Sequence, residues 1–361
     1  MDPRETLSRP FVSVLIDTYN HEKFIEQAIA SVLEQNFPAS DFEILVVDDG
    51  STDRTPELVN KFSSRVAYLP KPNGGQASAF NFGISHCRGE IVAFLDGDDW
   101  WAANKLARVV STFAEAPSVG IVGTGIINVQ RDGTHQVETL KEGFRFTASN
   151  RDGALMFRRR GAFLGTSRMA IRAGLLRRIG NVPEEIAIQA DEYLFTLAAA
   201  LSEVAILPEA LTFYRLHADN LFQSSGSDEF KMRRIQKSLA LLASTLFERL
   251  CAVGIDSQVS ALVVEFTQAC ADRFRLRLDG GWPWETARTE WTLYGILHPE
   301  ARVSHRVFKR LILFAALFVP PKLFYRAQSS VARSDLYNRI RARLLPVPGM
   351  EHIQRDWRAR P

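Results

Sequence analysis

The sequence predicts an α/β protein: a mostly parallel sheet flanked by helices, followed by a mainly helical C-terminal region. Three observations carry this. Through the first 125 residues, β-branched apolar runs alternate with segments of helical period. Polar turns close three of those runs, at DTYN (17–20), DDGSTD (48–53) and DGDD (96–99). From Phe230 onwards the pattern becomes helical, most clearly in KMRRIQKSLALLASTLFERL.

The elements follow in order. FVSVLI (11–16) reads as a strand, and residues 21–34 carry Phe24, Ile25, Ala28, Ile29, Val32 and Leu33 at helical spacing. EILVV (43–47) is a second strand. Asp53 can cap a helix that begins near Arg54, with Pro56 tolerated in its first turn. RVAYL (65–69) is a third strand, closed by PKPNGG, and 76–85 a helix. Residues 90–95 give a fourth strand, 105–114 a helix and VGIVGT (119–124) a fifth strand. The alternation is βαβαβαβα, and in such sheets ligands bind beyond the carboxyl ends of the strands. All three polar turns therefore project to one rim. Residues 126–160 read as irregular strands and loops, 191–201 as a helix and 211–216 as a strand. The polar stretch QSSGSD (223–228) is the best linker, which divides the chain into domains 1–225 and 226–361.

Composition narrows the function. At 361 residues, 46% hydrophobic and 24% charged, the chain has a packed core. A net charge of +3 argues against a nucleic-acid partner, although basic residues cluster at Arg158, Arg159, Arg160 and through 302–360. Cys87, Cys251 and Cys270 form no CxxC pair and fit a reducing cytoplasm. The first ten residues lack the apolar stretch of a signal peptide. LILFAALFV (311–319), flanked by Arg306, Lys309, Arg310, Lys322 and Arg326, has nine residues where a bilayer span needs about 20. It is either an interfacial membrane helix or a buried one.

The chemistry concentrates in FLDGDDWW (94–101). Three carboxylates in four positions, with Gly97 letting the backbone bend, can hold a hard divalent cation against a phosphate; a solvated turn is the plain alternative. Asp48 and Asp49 close another strand. They can accept from a base N–H or a sugar hydroxyl, or DDGSTD can simply cap a helix. Trp100 and Trp101 can stack on a sugar or wedge the loop onto the next helix.

Taken together, VSVLIDTYNHEKFIEQAIASVLEQNF, FEILVVDDGSTDRT and NGGQASAFNFGISHCRGEIVAFLDGDDWW resemble the inverting family 2 glycosyltransferases of the GT-A (Rossmann-like) fold. The resemblance is dense over 11–125 and sparser to about 222. It implies transfer of a sugar from a nucleotide diphosphate sugar, most often a UDP-sugar, to an acceptor hydroxyl, with Mn2+ or Mg2+ as cofactor. It implies a cytoplasmic enzyme; the basic, apolar tail fits a glycan or lipid-linked acceptor in surface polysaccharide or glycolipid assembly, with protein or small-molecule acceptors as alternatives. If the 311–319 run is interfacial, the enzyme is peripheral on the inner membrane face.

The family's roles carry over by position. Asp17 and Tyr19 line the nucleoside pocket, though Asp17 stands where the family usually has proline or a small residue. Asp49, beside Asp48, matches the acid that contacts the base. Gly75 and Gln76 open the helix near the ribose and diphosphate. Phe80 stands where the family often has an arginine, just before Asn81. Asp96 matches the ribose-facing acid and Asp98 the metal-facing acid of the DxD motif, with Asp99 in support. In IQADEYLFTLAAALSEVAILPEALTFYRLHADN, Leu194-Phe195 aligns with the family's Leu-Trp. That places Asp191 at the catalytic base, with Glu192 one position off as a rival. His217 matches a histidine that approaches metal or diphosphate, with Arg215 an alternative partner for phosphate.

Three other readings compete. A nucleotidyltransferase also pairs acids with a cation, but DTYNHEKF lacks the glycine-rich basic loop that holds a triphosphate. A catalytically degenerate scaffold would bind a nucleotide sugar without consuming it. A glycoside hydrolase uses two carboxylates but needs no nucleoside site.

Overall fold

The computed structural model describes residues 12–217, 228–297, 303–332 and 350–355. These fall into two compact units. One holds the described residues up to Thr147, Gly161–Leu216 and those from 351; the other holds Ala148–Arg160 and those from His217 to Met350.

The first unit is built on a sheet whose heart is parallel. Strands β1 (Val12–Thr18), β2 (Phe42–Asp48), β3 (Val66–Pro70) and β4 (Ile91–Asp96) are joined through helices α1 (Ile25–Leu33), α2 (Thr55–Asn60) and α3 (Gln76–His86). Parallel pairing runs β3-β2-β1-β4. Helices cover both faces, so Val12, Val14, Leu15 and Ile16 are all buried, and β1 reads as a continuous apolar run rather than an alternating one. Helix α1 buries Ile25, Ala28, Ile29 and Val32, its 3.6-residue stripe, against this core.

Beyond β4 the sheet becomes mixed. The chain continues through β5 (Trp100–Trp101), α4 (Lys105–Glu115), β6 (Val119–Val129), β7 (His135–Leu140), β8 (Phe144–Phe146) and α5 (Arg151–Arg160). Two 3₁₀ turns, Gly161–Leu164 and Thr166–Arg168, lead to β9 (Ala170–Arg172), α6 (Ala173–Ile179), α7 (Ala190–Leu201) and β10 (Glu203–Arg215). Strand β9 lies antiparallel between β4 and β6, and β10 runs parallel to β6. The full order is β11-β7-β6-β9-β4-β1-β2-β3, where β11 is Met350–Arg355.

Residues 126–160 are more regular than their sequence suggests. The β6–β7 hairpin turns at Asp132–Thr134, where Gly133 adopts φ 79° and the Asp132 carboxylate accepts from the Thr134 N–H. Short, half-exposed strands carry little alternation, which hid them. Strand β10 begins eight residues before the predicted 211. Pro208 breaks its pattern, and the register shifts between Ile206 and Ala210 absorb that proline.

The second unit is helical: α5, α8 (Glu229–Ala252), α9 (Ser257–Leu278), α10 (Trp284–Leu297), α11 (Val303–Ala315) and α12 (Pro321–Ala332). Asp228 and Asp256 cap α8 and α9 through their carboxylates. The rest of the predicted linker, 223–227, and the predicted 225/226 boundary lie outside the described residues. Among the described residues, no helix is long and apolar enough to cross a membrane.

Candidate active site

The carboxyl ends of β1 and β4 bring the acids together. Asp17 and Asp96 are register partners on adjacent parallel strands, so their side chains share one face. The Gly97 N–H donates to the Asp17 carbonyl at 2.8 Å. A Cβ at Gly97 would stand 2.7 Å from Thr18 Oγ1 and 2.8 Å from His21 Nδ1, so only glycine lets the loop close this tightly. Asp98 follows, with Oδ2 3.9 Å from His21 Nε2.

The electrostatics of this cluster are unfavourable without a counter-charge. Burial, then the Asp98 charge, pushes Asp17 up to about 7. Burial and the Asp17 charge raise Asp96 well above the usual carboxylate range, and burial and Asp98 do the same to Asp99. Asp17 Oδ1 is buried with no hydrogen-bond partner. Crowded carboxylates and an orphaned oxygen are a donor set suited to a hard divalent cation. Among the described residues, no three His, Cys, Asp or Glu side chains enclose a metal by themselves. Asp98 and its neighbouring acids would hold such an ion together with oxygens of a bound phosphate.

A pH dependence follows. A carboxyl whose pKa is raised on folding contributes stability that is fully present below its unfolded value of 3.8 and is lost as pH rises through about 7. Asp17→Asn removes that charge. Without divalent cation, the variant should melt above the parent at about pH 8, with the gap shrinking toward about pH 5. Scanning calorimetry across this range checks it; a gap independent of pH would refute the repulsion.

One 3₁₀ turn organises the acids. The Ser167 hydroxyl lies 2.6 Å from Asp99 Oδ2 and 3.1 Å from Asp96 Oδ2, and it accepts from the Asp96 N–H at 3.0 Å. Its carbonyl accepts from Trp101 Nε1 (2.9 Å), Lys105 Nζ (2.5 Å) and Thr212 Oγ1 (2.9 Å). Lys105 is wholly buried, its ammonium 4.5 Å from the centre of the Trp101 ring, and burial pushes its pKa well down. Trp101 is therefore a wedge under the acidic loop. Sequence reasoning missed Thr166, Ser167, Lys105, Thr212 and His21. Only His21, next to DTYN, had a signal; the others are ordinary residues whose role is created by the packing. Replacing Ser167 by alanine should lower kcat/KM by about 10- to 100-fold, the usual cost of losing a group that orients a ligand. Steady-state kinetics on protein with an unchanged melting curve checks this.

The same turn reaches the predicted base. Asp191 lies in the first turn of α7, after Gln189 in the left-handed region at φ 63°. Its Oδ2 accepts from the Thr166 N–H at 3.1 Å and its Oδ1 from the Glu192 N–H at 2.9 Å. Burial raises its pKa against the pull of these bonds. Asp191 is near enough to raise Asp17 and Asp96 in turn. Glu192 follows it in the same first turn, half-buried.

At the end of β2, both oxygens of Asp48 and Asp49 accept from the protein. Asp48 takes the Ser51 N–H (2.8 Å) and the Tyr68 hydroxyl (2.7 Å). Asp49 takes Lys71 Nζ (2.7 Å) and the Gly74 and Gly75 N–H groups (2.9 and 2.7 Å), fixing the loop that enters α3. Gly75, at φ 85°, turns that loop, and Gln76 Nε2 lies 3.4 Å from both Asp96 Oδ1 and Thr166 Oγ1. Tyr19 is exposed at the rim. Phe80 is buried edge-on to Phe94, and Asn81 is committed to the Val182 backbone, so neither offers a polar contact to a ligand. Trp100 stacks on Phe213 (5.0 Å, 2°), with the Arg215 guanidinium 4.5 Å from its ring centre. Arg215 also donates to the Asp98 carbonyl at 3.0 Å, and its N–H to Asp99 Oδ1 at 3.0 Å. His217 is half-buried two residues past β10.

The chain is similar in sequence and fold to known glycosyltransferases. Residues 13–175 match the family profile described as Glycosyl transferase family 2. An uncharacterized glycosyltransferase of Nostoc sp. is 34% identical over 222 residues, covering 60% of this chain and 68% of its own. The uncharacterized glycosyltransferase EpsJ of Bacillus subtilis is 30% identical over 241 residues, covering 64% and 69%. Residues 1–349 of S. aureus TarS, solved in complex with UDP-GlcNAc, share the fold, with a TM-score of 0.57 and 20% identity over 96% of this chain and 97% of that one.

Proposed function

The chain belongs to glycosyltransferase family 2, and from that premise we propose that it is an inverting, metal-dependent enzyme moving a hexose from a UDP-sugar to an acceptor hydroxyl. The carrying observation is the convergence of Asp17, Asp96, Asp98 and Asp191 from β1, β4 and α7 on one rim. An acidic rim of this kind repels a bare diphosphate and suits one that arrives with a cation. The complex of TarS with UDP-GlcNAc supports the choice of donor class. A glycan or lipid-linked acceptor in surface polysaccharide or glycolipid assembly completes the reading. A cytoplasmic setting belongs to the same reading.

In this reading Tyr19, Asp48, Asp49 and Gly75 line the nucleoside pocket, and Gln76 and Asp96 face the ribose and diphosphate. Asp98 would hold Mn2+ or Mg2+, with Asp17 adding charge. When bound, the cation supplies Lewis-acid neutralisation of the leaving diphosphate. Asp191 accepts the proton of the acceptor hydroxyl while that oxygen bonds to the anomeric carbon and the bond to the diphosphate breaks on the opposite face. One displacement inverts the centre. Its raised pKa makes Asp191 a better base than an ordinary aspartate. Trp100, clamped between elements, shapes the sugar side of the cleft.

Thermal shift tests this directly. UDP with Mn2+ should raise the melting temperature, while UDP with EDTA, or GDP, dTDP or CDP with Mn2+, should not. A shift with another nucleotide would overturn the donor assignment. Consumption of the UDP-sugar with release of UDP would separate a transferase from a binding scaffold.

A further inference from the structure

Helix α11 is apolar on two sides. Leu313, with Ala316 just beyond the helix end, packs inward, and both are nearly fully buried. The other side carries Val303, Val307, Leu311 and Phe314, continued by Phe318 in the following turn, at 76%, 51%, 61%, 55% and 74% exposure. Their spacing of four, four, three and four residues places them on one stripe along the helix axis. Leu323 in α12 adds a further side chain at 61% exposure. A soluble surface rarely leaves so many large apolar groups side by side without a use for them.

The charge beside the stripe selects the occupant. Residues 303–332 contain no Asp or Glu and five basic residues, Arg306, Lys309, Arg310, Lys322 and Arg326. Arg310, Lys322 and Arg326 are exposed, and the Arg310 guanidinium sits 4.9 Å from the Trp291 ring centre, which holds it beside the stripe. A protein interface would bring complementary charges of both signs; an acid-free, aliphatic and aromatic strip with a basic border matches a lipid surface bearing anionic headgroups. Neither α11 nor α12 is long and apolar enough to cross a bilayer.

We propose that α11, the turn after it and the start of α12 form an interfacial anchor, with Leu311, Phe314 and Phe318 entering the headgroup boundary of an anionic membrane and Arg310, Lys322 and Arg326 contacting its phosphates. The anchor is independent of the nucleotide site: its failure leaves the transferase reading intact, and the reverse holds too.

Flotation of the full chain with vesicles tests it. Pure phosphatidylcholine vesicles are compared with vesicles containing about 30% phosphatidylglycerol, an anionic surface of the kind basic segments recognise. The anchor requires binding to the anionic vesicles at least about tenfold above the neutral ones, weakened by high salt. The triple variant Leu311→Ser, Phe314→Ser, Phe318→Ser should lose this binding, and Arg310→Glu, Lys322→Glu, Arg326→Glu should lose the preference for anionic lipid. Circular dichroism melting verifies that both variants are folded. A second pair, Phe314→Trp and Phe318→Trp, reports insertion by a blue shift of indole emission and needs no loss of packing. Equal flotation with neutral vesicles, no flotation at low salt, or an unshifted emission would overturn the proposal. So would a stripe buried by a second copy, seen as a dimer in sedimentation that the serine variant dissociates.

Discussion

Asp191→Asn is expected to lower kcat by about 10²- to 10⁴-fold, the span over which a positioned base contributes, while donor affinity stays near that of the parent. The asymmetry comes from where Asp191 sits. It is placed at the start of α7 and is held by the Thr166 and Glu192 N–H groups. It therefore has a fixed direction without being part of the nucleoside pocket. Asparagine keeps the size and one carbonyl acceptor, but it cannot take a proton, and its amide cannot accept from both N–H groups. A modest fall in melting temperature should accompany the loss, because one donor is left without its partner. The pH profile provides the second readout. With its pKa raised by burial, Asp191 should set an acidic limb of kcat/KM lying above the ordinary aspartate value, and that limb should vanish in the variant. Glu192→Gln serves as the comparison. If it abolished turnover while Asp191→Asn retained it, the base would be Glu192.

The parts legible in the sequence share a physical character. Strands β1, β2 and β4 are buried on both faces, so their apolar runs are long and their ends abrupt. The acids at those ends, Asp17, Asp48, Asp49, Asp96 and Asp98, were readable as the places where the strands stop. Helix α7 was legible because its apolar residues recur at helical spacing behind Asp191. What stayed hidden depends on contacts between distant segments. Ser167 approaches the loop of Asp96 and Asp99 across 71 and 68 residues of chain. Lys105 sits in the first turn of an amphipathic helix, where a lysine reads as solvent-exposed, yet it is buried over Trp101 with its ammonium turned to the Ser167 carbonyl. The roles of Asp48 and Asp49 were only half visible. Their position at a strand end was readable, but the Tyr68, Lys71 and Gly75 donors that occupy their oxygens belong to the next strand and loop. The apolar run at 311–319 posed interfacial and buried helices as alternatives, and the structure divides it: Leu313 and Ala316 are buried, Leu311 and Phe314 are not.

Asp98→Asn should abolish cation-dependent nucleotide binding, by at least about 100-fold. Loss of a group that merely orients a ligand costs about 10- to 100-fold, and a direct ligand costs no less. The three acids of the loop differ in what holds them. Asp96 and Asp99 are tied to Ser167, and Asp99 also accepts from the Arg215 N–H. Asp98 instead faces His21 across 3.9 Å, with its carboxylate partly exposed. It also raises the pKa of Asp17 and Asp99. An asparagine there relieves repulsion that the ligand-free protein bears, so the variant should be as stable as the parent or more so near neutral pH while it loses the nucleotide. A residue that served only to pin the loop would behave in the opposite way, losing stability and binding together. Calorimetric titration of UDP in the presence of Mn2+, paired with melting curves lacking both, measures the two signs separately. Retained Mn2+-dependent binding in the variant would move the cation away from Asp98, and with it the reading of FLDGDDWW as the place where charge on the diphosphate is met.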